Sequence, residues 1–216
     1  MKEVIVHGVP GSPFMRAVLI ALEEKQAPYR VQPLSPESLR GEAYLKLHPF
    51  GRVPVIEHGA FQLYETQAIL RYLDATFLEP ELQPRDREAI GRMNQVIGIN
   101  DWYLFPKSAR VIVFERIVGP FLFGKAPDEH AIDAVVPDAR LCLGELNRLL
   151  GRNAYLAGDA FSLADIQLAP QVDYLAATPE GAAILEGTAL RAWLDRIATR
   201  PSWQATLPPE GLRRAA

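Results

Sequence analysis

The stretch His7–Leu22, HGVPGSPFMRAVLIAL, decides how the chain reads. An apolar run, Val4-Ile5-Val6, leads into it and has the composition of a short strand; it ends in the Gly/Pro-rich turn His7-Gly8-Val9-Pro10-Gly11. Ser12-Pro13 then opens a helix. Serine is favoured at the N-cap, and proline at the first helical position gives up only an N–H that has no partner there. Met15, Val18, Leu19 and Leu22 follow at i, i+3, i+4 and i+7, which is one helical face. A strand, a turn and a helix start beginning with a hydroxyl bring unpaired N–H groups, positive dipole and an O–H donor to one spot. Such a spot suits an anion.

Working outward, Ala27-Pro28 stops the helix and Tyr29-Arg30-Val31-Gln32 alternates like a half-buried strand, giving a βαβ unit with parallel strands. A short helix over Glu42–Leu47 precedes His48-Pro49-Phe50-Gly51. Val53–Glu57 and Phe61–Tyr64, separated by a turn at His58-Gly59, read as a hairpin, and a helix with Ile69, Tyr72, Leu73 and Phe77 on one face starts near Thr66. Residues 1–77 are therefore expected to form a small sheet of about four strands covered by helices. The proline-rich, acidic segment 78–84 reads as a linker.

Residues 85–216 are helical in pattern. Ile90, Met93 and Ile97 mark one helix that Pro106 is expected to kink or end, and Gly119-Pro120 closes its continuation. Ile132, Val135, Ala139, Cys142, Leu146 and Leu149 keep 3–4 spacing from a cap at Asp128 to a stop at Gly151. Phe161-Ser162-Leu163-Ala164-Asp165-Ile166 is a capping box with its hydrophobic staple, a folding device rather than a site. Leu190, Trp193, Leu194 and Ile197 give a last helix ended by Arg200-Pro201, and the tail after Trp203 is expected to be poorly ordered.

A net charge of −3 without a Lys/Arg block argues against a nucleic-acid partner. No apolar run approaches the ~18 residues that span a bilayer, so the chain reads as cytosolic, with no membrane partner. The lone Cys142 permits neither an internal disulfide nor a thiolate cluster, and its place in an apolar stripe makes it a packing residue. His7, His48, His58 and His130 lack metal-ligand spacing, and no metal is expected.

Three separated pieces of the first domain can carry chemistry. Ser12 is either a plain N-cap or a donor to a bound anion. The Val53-Pro54 bond is trans by default; a cis bond would turn the Val53 N–H and C=O sideways toward an extended, peptide-like ligand. Glu65-Thr66 is either a strand-end acid beside a helix cap or a grip for an ammonium and a carboxylate. The aromatic run Trp102-Tyr103-Leu104-Phe105 is either core packing or one wall of a pocket.

Taken in order, these pieces resemble the cytosolic glutathione transferases over nearly the whole chain. HPFGRVPVIEHGAFQLYETQAILRYL is similar to the family's NPFGQVPALEDG…LFESRAI stretch, FSLADI to its second-domain capping box, and SPFMRAV to the serine-type classes such as phi, theta and tau. The resemblance implies a thioredoxin-like first domain and an all-helical second domain that supplies an electrophile pocket. It implies that Ser12 donates to the glutathione sulfur and that Val53 pairs with the cysteinyl unit beside a cis Pro54. Glu65 and Thr66 would grip the γ-glutamyl end, and Arg40 and Arg52 become candidates for the glycyl carboxylate. Val9, Pro10, Phe14, Trp102, Tyr103, Phe105 and Ile112 are the pocket candidates. Glutathione is then a co-substrate, and homodimers pair the first domain of one subunit with the second of the other.

Two departures stand out: Thr66 replaces the commoner serine and keeps the donor, while Arg52 replaces a frequent glutamine. Conjugation to a small hydrophobic electrophile, or reduction of a hydroperoxide, is the activity implied. A non-catalytic ligand-binding or interaction protein is the alternative, whereas thiol transfer would need a cysteine where Ser12 stands.

Overall fold

The computed structural model describes residues 2–214. Of the tail expected to lack order, Ala215, Ala216 and the side chains of Arg213 and Arg214 lie outside the described residues. The chain divides into two compact units, Met1–Leu82 with Pro201–Pro208, and Gln83–Arg200 with Pro209–Ala216.

In the first unit β1 (Val4–Gly8), α1 (Pro13–Glu24) and β2 (Tyr29–Pro33) form the βαβ unit. A 3₁₀ turn over Pro36–Arg40 and α2 (Glu42–Leu45) follow, then β3 (Val55–His58), β4 (Phe61–Tyr64) and α3 (Thr66–Thr76). The sheet order is β2-β1-β3-β4, with β1 parallel to β2 and the other pairs antiparallel. Strand alternation decides the faces. Val4 and Val6 are fully buried with Val18, Leu22, Ile69 and Leu73 of α1 and α3, while Ile5 and His7 point to the other, half-covered face. Gly59, at φ +67, makes the hairpin turn.

The buried Lys25 ammonium joins the Asp74 carboxylate and the Pro80 carbonyl, each at 2.5 Å, which ties the end of α1 to α3 and to the segment after it. A further helix, α11 (Pro201–Ala205), runs into the tail expected to be loose after Trp203, and it packs on α1.

The second unit is helical: α4 (Arg87–Ile99), α5 (Arg110–Val113), α6 (Gly119–Phe123), α7 (Glu129–Leu150), α8 (Leu163–Ala176), α9 (Pro179–Leu185), α10 (Ala189–Ala198) and α12 (Glu210–Arg214). Pro106 does not end the first of these. The chain stays helical through π-type turns over Asn100–Ala109 and Phe114–Val118, and Gly124 at φ +60 is the stop. α8 is buried on nearly every side, as expected of a helix with apolar residues all round. Cys142 is buried among the α7 core residues, and burial pushes its thiol pKa up, as befits a packing residue. No helix of the described residues is long and apolar enough to cross a membrane.

Candidate active site

Sheet register brings the three first-domain pieces together. His7, Val55 and Tyr64 lie side by side across β1, β3 and β4. The segment leaving β1 at Gly8, the segment entering β3 at Val53-Pro54, and the segment leaving β4 at Glu65-Thr66 therefore emerge from one end of three adjacent strands, ~5 Å apart. β2 ends at the same place, since Pro33 pairs with Gly8 and the Leu34 N–H bonds the Gly8 carbonyl at 2.9 Å. That strand leads into the turn carrying Arg40.

At the β1 exit, the Ser12 N–H donates to the Val9 carbonyl at 3.0 Å, a closure that needs Gly11 at φ +90. Ser12 Oγ accepts the Met15 N–H at 3.4 Å, so the serine is the N-cap of α1, and its own O–H donates to no described residue. Pro13 has no N–H and the Arg16 N–H bonds the Ser12 carbonyl at 2.9 Å. The hydroxyl rather than a set of free amides is thus the leading donor here, which narrows the expectation drawn from the sequence.

The Val53–Pro54 bond is cis. Val53 precedes the paired part of β3, which begins at Val55 rather than at Val53, and its N–H and C=O bond no described residue. The preceding loop is held from beneath. The Tyr44 hydroxyl donates to the Arg52 carbonyl at 2.6 Å, and the Gly51 N–H bonds the His48 carbonyl at 2.9 Å. Burial raises the Tyr44 pKa to about 12, so that donor stays protonated. Gly51, at φ +59, lies against the Leu39 carbonyl, which sets the Arg40 turn beside Arg52. Both arginines are exposed.

Glu65 is exposed and adopts φ 71, ψ 112, a region that non-glycine residues rarely occupy. Its carbonyl accepts the Ala68 and Ile69 N–H groups at 3.0 and 2.9 Å, so the start of α3 holds the carboxylate in this pose. Thr66, 7% exposed, is the first residue of α3, and its hydroxyl bonds no described residue.

One residue was missed by sequence reasoning. His48, 2% exposed, tilts on the Tyr64 ring at 4.5 Å, and its Nδ1 accepts the Phe50 N–H at 3.3 Å. Burial is the main cause that lowers its pKa; Glu65 opposes that shift and Arg52 adds to it. The ring is therefore neutral and supports the Phe50–Val53 loop. Its replacement of the motif's asparagine was the available signal.

The pocket candidates fall in both units. Val9 and Phe14 are half-buried beside Ser12, and Pro10 is exposed. In the second unit Trp102 and Tyr103 are 73% and 51% exposed, Phe105 is half-buried, and Ile112 has no exposed surface. No group of three or more metal-ligating side chains occurs among the described residues.

Residues 6–81 match the family model of the glutathione S-transferase N-terminal domain, and residues 129–196 that of the C-terminal domain. The chain is 30% identical to glutathione S-transferase 3 of Zea mays, over 97% of each chain. It is 29% identical to glutathione S-transferase F6 of Arabidopsis thaliana, over 96% of this chain and all of that one. Among solved structures it superposes on glutathione S-transferase III in its apo form with a TM-score of 0.85 at 30% identity, covering 96% of this chain and 99% of that one. A glutathione S-transferase I bound with lactoylglutathione aligns at a TM-score of 0.82 and 26% identity, over 94% and 97% of the two chains.

Proposed function

The chain belongs to the glutathione S-transferase family, and from that premise we propose that it is a glutathione transferase whose tripeptide lies along the strand ends just described. The observation that carries this reading is the row His7–Val55–Tyr64, which gathers an unspent serine O–H, an unpaired backbone N–H and C=O, and a carboxylate beside a threonine hydroxyl. Each matches one part of the ligand. Ser12 donates to the sulfur, Val53 pairs with the cysteinyl amide as an added strand would, Glu65 accepts the γ-glutamyl ammonium, and Thr66 holds the adjoining carboxylate. Arg40 and Arg52 face the glycyl carboxylate.

The energetics are sufficient. A thiol with a pKa of ~8.5 is a few per cent thiolate at neutral pH, and a drop of about two units needs ~2.7 kcal/mol. One hydrogen bond to a charged group contributes ~1.5–3 kcal/mol, and a helix N-terminus ~0.3–1 kcal/mol more. Ser12 therefore acts as donor and the glutathione sulfur as nucleophile. The thiolate attacks a small hydrophobic electrophile, or reduces a hydroperoxide, against Val9, Pro10 and Phe14, the apolar side chains beside Ser12 in the first unit. A homodimer and a cytoplasmic location belong to the same reading, supported by the family and, for the dimer, by the exposed Phe50.

Ser12→Ala is expected to lower turnover about ten-fold or more, the loss of one charged hydrogen bond, while calorimetry shows little change in glutathione affinity. Unchanged turnover would remove Ser12 from the mechanism, and calorimetry with no uptake of glutathione by the parent protein would end the assignment.

A further inference from the structure

Gly8 ends β1 at the point where the chain turns toward Ser12. Its backbone is held from the β2 side, since it pairs with Pro33 and its carbonyl accepts the Leu34 N–H at 2.9 Å. Gly8 does not adopt a positive φ, so the backbone conformation does not call for glycine. The space beside it does. A Cβ at this position would lie 2.5 Å from Met15 Sδ, 3.0 Å from Met15 Cγ and 3.3 Å from Met15 Cβ. The missing side chain therefore lets Met15 of α1 close directly on the end of β1.

Met15 is also the residue whose N–H donates to Ser12 Oγ, at 3.4 Å. That bond has little length to spare, since about 2.7–3.2 Å is usual for N–H···O. The Met15 side chain is 4% exposed, which leaves it little room to swing aside, and packed interiors transmit strain. With Gly8 fixed to β2, a methyl added there pushes on Met15, and the displacement reaches the Met15 N–H and the first turn of α1. The N–H that Ser12 Oγ accepts also polarises the serine O–H, so its loss weakens that O–H as a donor.

We propose that Gly8 and Met15 form a spacer that positions Ser12 for thiol activation: the bare Cα of Gly8 sets how near to β1 the helix α1 begins, and hence where the serine O–H stands. Gly8 is a positioning residue that acts through Met15 and needs no contact with the ligand. The inference rests on the reading that the glutathione sulfur meets Ser12.

The ionisation of bound glutathione, followed by the ultraviolet absorbance of the thiolate against pH, tests it. In Gly8→Ala the bound thiol pKa is expected to rise by about half a unit to one unit, the effect of a weakened hydrogen bond to the charged form. Activity near neutral pH should fall about three- to ten-fold and recover above the raised pKa, where thiolate is again the main form. Glutathione affinity near neutral pH should fall no more than about three-fold, the part of binding that is linked to the ionisation. Met15→Ala removes the same contact from the helix side. It should raise the bound pKa by about a quarter to half a unit, and it serves if Gly8→Ala fails to fold.

Met15→Ala also removes Sδ and Cγ, the two atoms that the added methyl meets first. In the double variant Gly8→Ala, Met15→Ala the bound pKa should therefore lie below that of Gly8→Ala alone, although the cavity left by Met15 keeps urea stability below that of the parent. A role in folding alone would not let the pKa recover while stability stays low. An unchanged bound pKa in the folded single variants, or a double variant with a pKa as high as that of Gly8→Ala, would overturn the proposal and leave the contact a packing feature. Ser12→Ala separates the two readings. If it leaves the bound pKa unmoved, the role of Ser12 fails; if it raises the pKa while Gly8→Ala and Met15→Ala do not, only the present inference fails.

Discussion

The neutral form of His48 is the one that holds the Phe50–Val53 loop. Its Nδ1 accepts the Phe50 N–H, and a protonated ring would present a donor there instead. Burial lowers its pKa below the ordinary 6.5 of the unfolded chain, so its contribution to stability is complete above that value and disappears as pH falls through the folded one. The dependence is at most ~1.4 kcal/mol per pH unit for a single group. His48→Asn keeps an acceptor and removes the titration. Urea unfolding of parent and variant at pH 7 and pH 5 should therefore show the parent losing more stability, and glutathione affinity should fall in acid only for the parent. Equal losses would mean that the ring does not titrate in this window. Ser12, Val53-Pro54 and Glu65-Thr66 were legible in the sequence because short motifs mark them. The positive φ of Glu65 was not, and the cis bond was expected from the resemblance rather than from the residues themselves, for which trans is the default.

Among the elements, α8 shows a sequence signal that the structure enlarges. The capping box at Ser162 and Asp165 was readable from spacing alone. Through space, however, the Asp165 carboxylate also takes the Leu156 N–H at 2.9 Å and the Trp193 indole N–H at 2.8 Å, besides the Ser162 N–H and O–H. One fully buried carboxylate thereby fastens α8 to α10 and to the loop after α7. Asp165→Asn places an amide donor against groups that already donate, and is expected to cost about 2–4 kcal/mol in urea unfolding. A change within a few tenths of a kcal/mol would show that the four bonds are replaceable. The long helical run from Arg87 was less readable. Pro106 looked like a breaker, yet the π-type turns absorb its missing N–H, and periodicity counted at 3.6 residues per turn cannot register them.

For the molecule as a whole, the decisive question is what Phe50 meets. Its ring is 70% exposed although its backbone is held, the N–H by His48 and the ring edge-on to Tyr64 at 6.4 Å. An isolated exposed apolar residue is ordinary; an aromatic one presented on a fixed loop is a knob. In a two-fold dimer each such contact occurs twice. Burying one phenyl ring contributes ~1.5–3 kcal/mol, so the pair contributes ~3–6 kcal/mol. Phe50→Ser should then raise the dimer dissociation constant by about a hundred-fold or more, with ~1.4 kcal/mol for each ten-fold step, as read by sedimentation equilibrium. The parent must sediment as a dimer for the homodimer reading to stand, and an unchanged constant in the variant would put the interface elsewhere. Because the same loop leads through Gly51 and Arg52 to Val53, the dissociated variant should also bind glutathione more weakly if the partner subunit steadies that loop. Full retention of affinity would mean that His48 and Tyr44 support it within a single subunit.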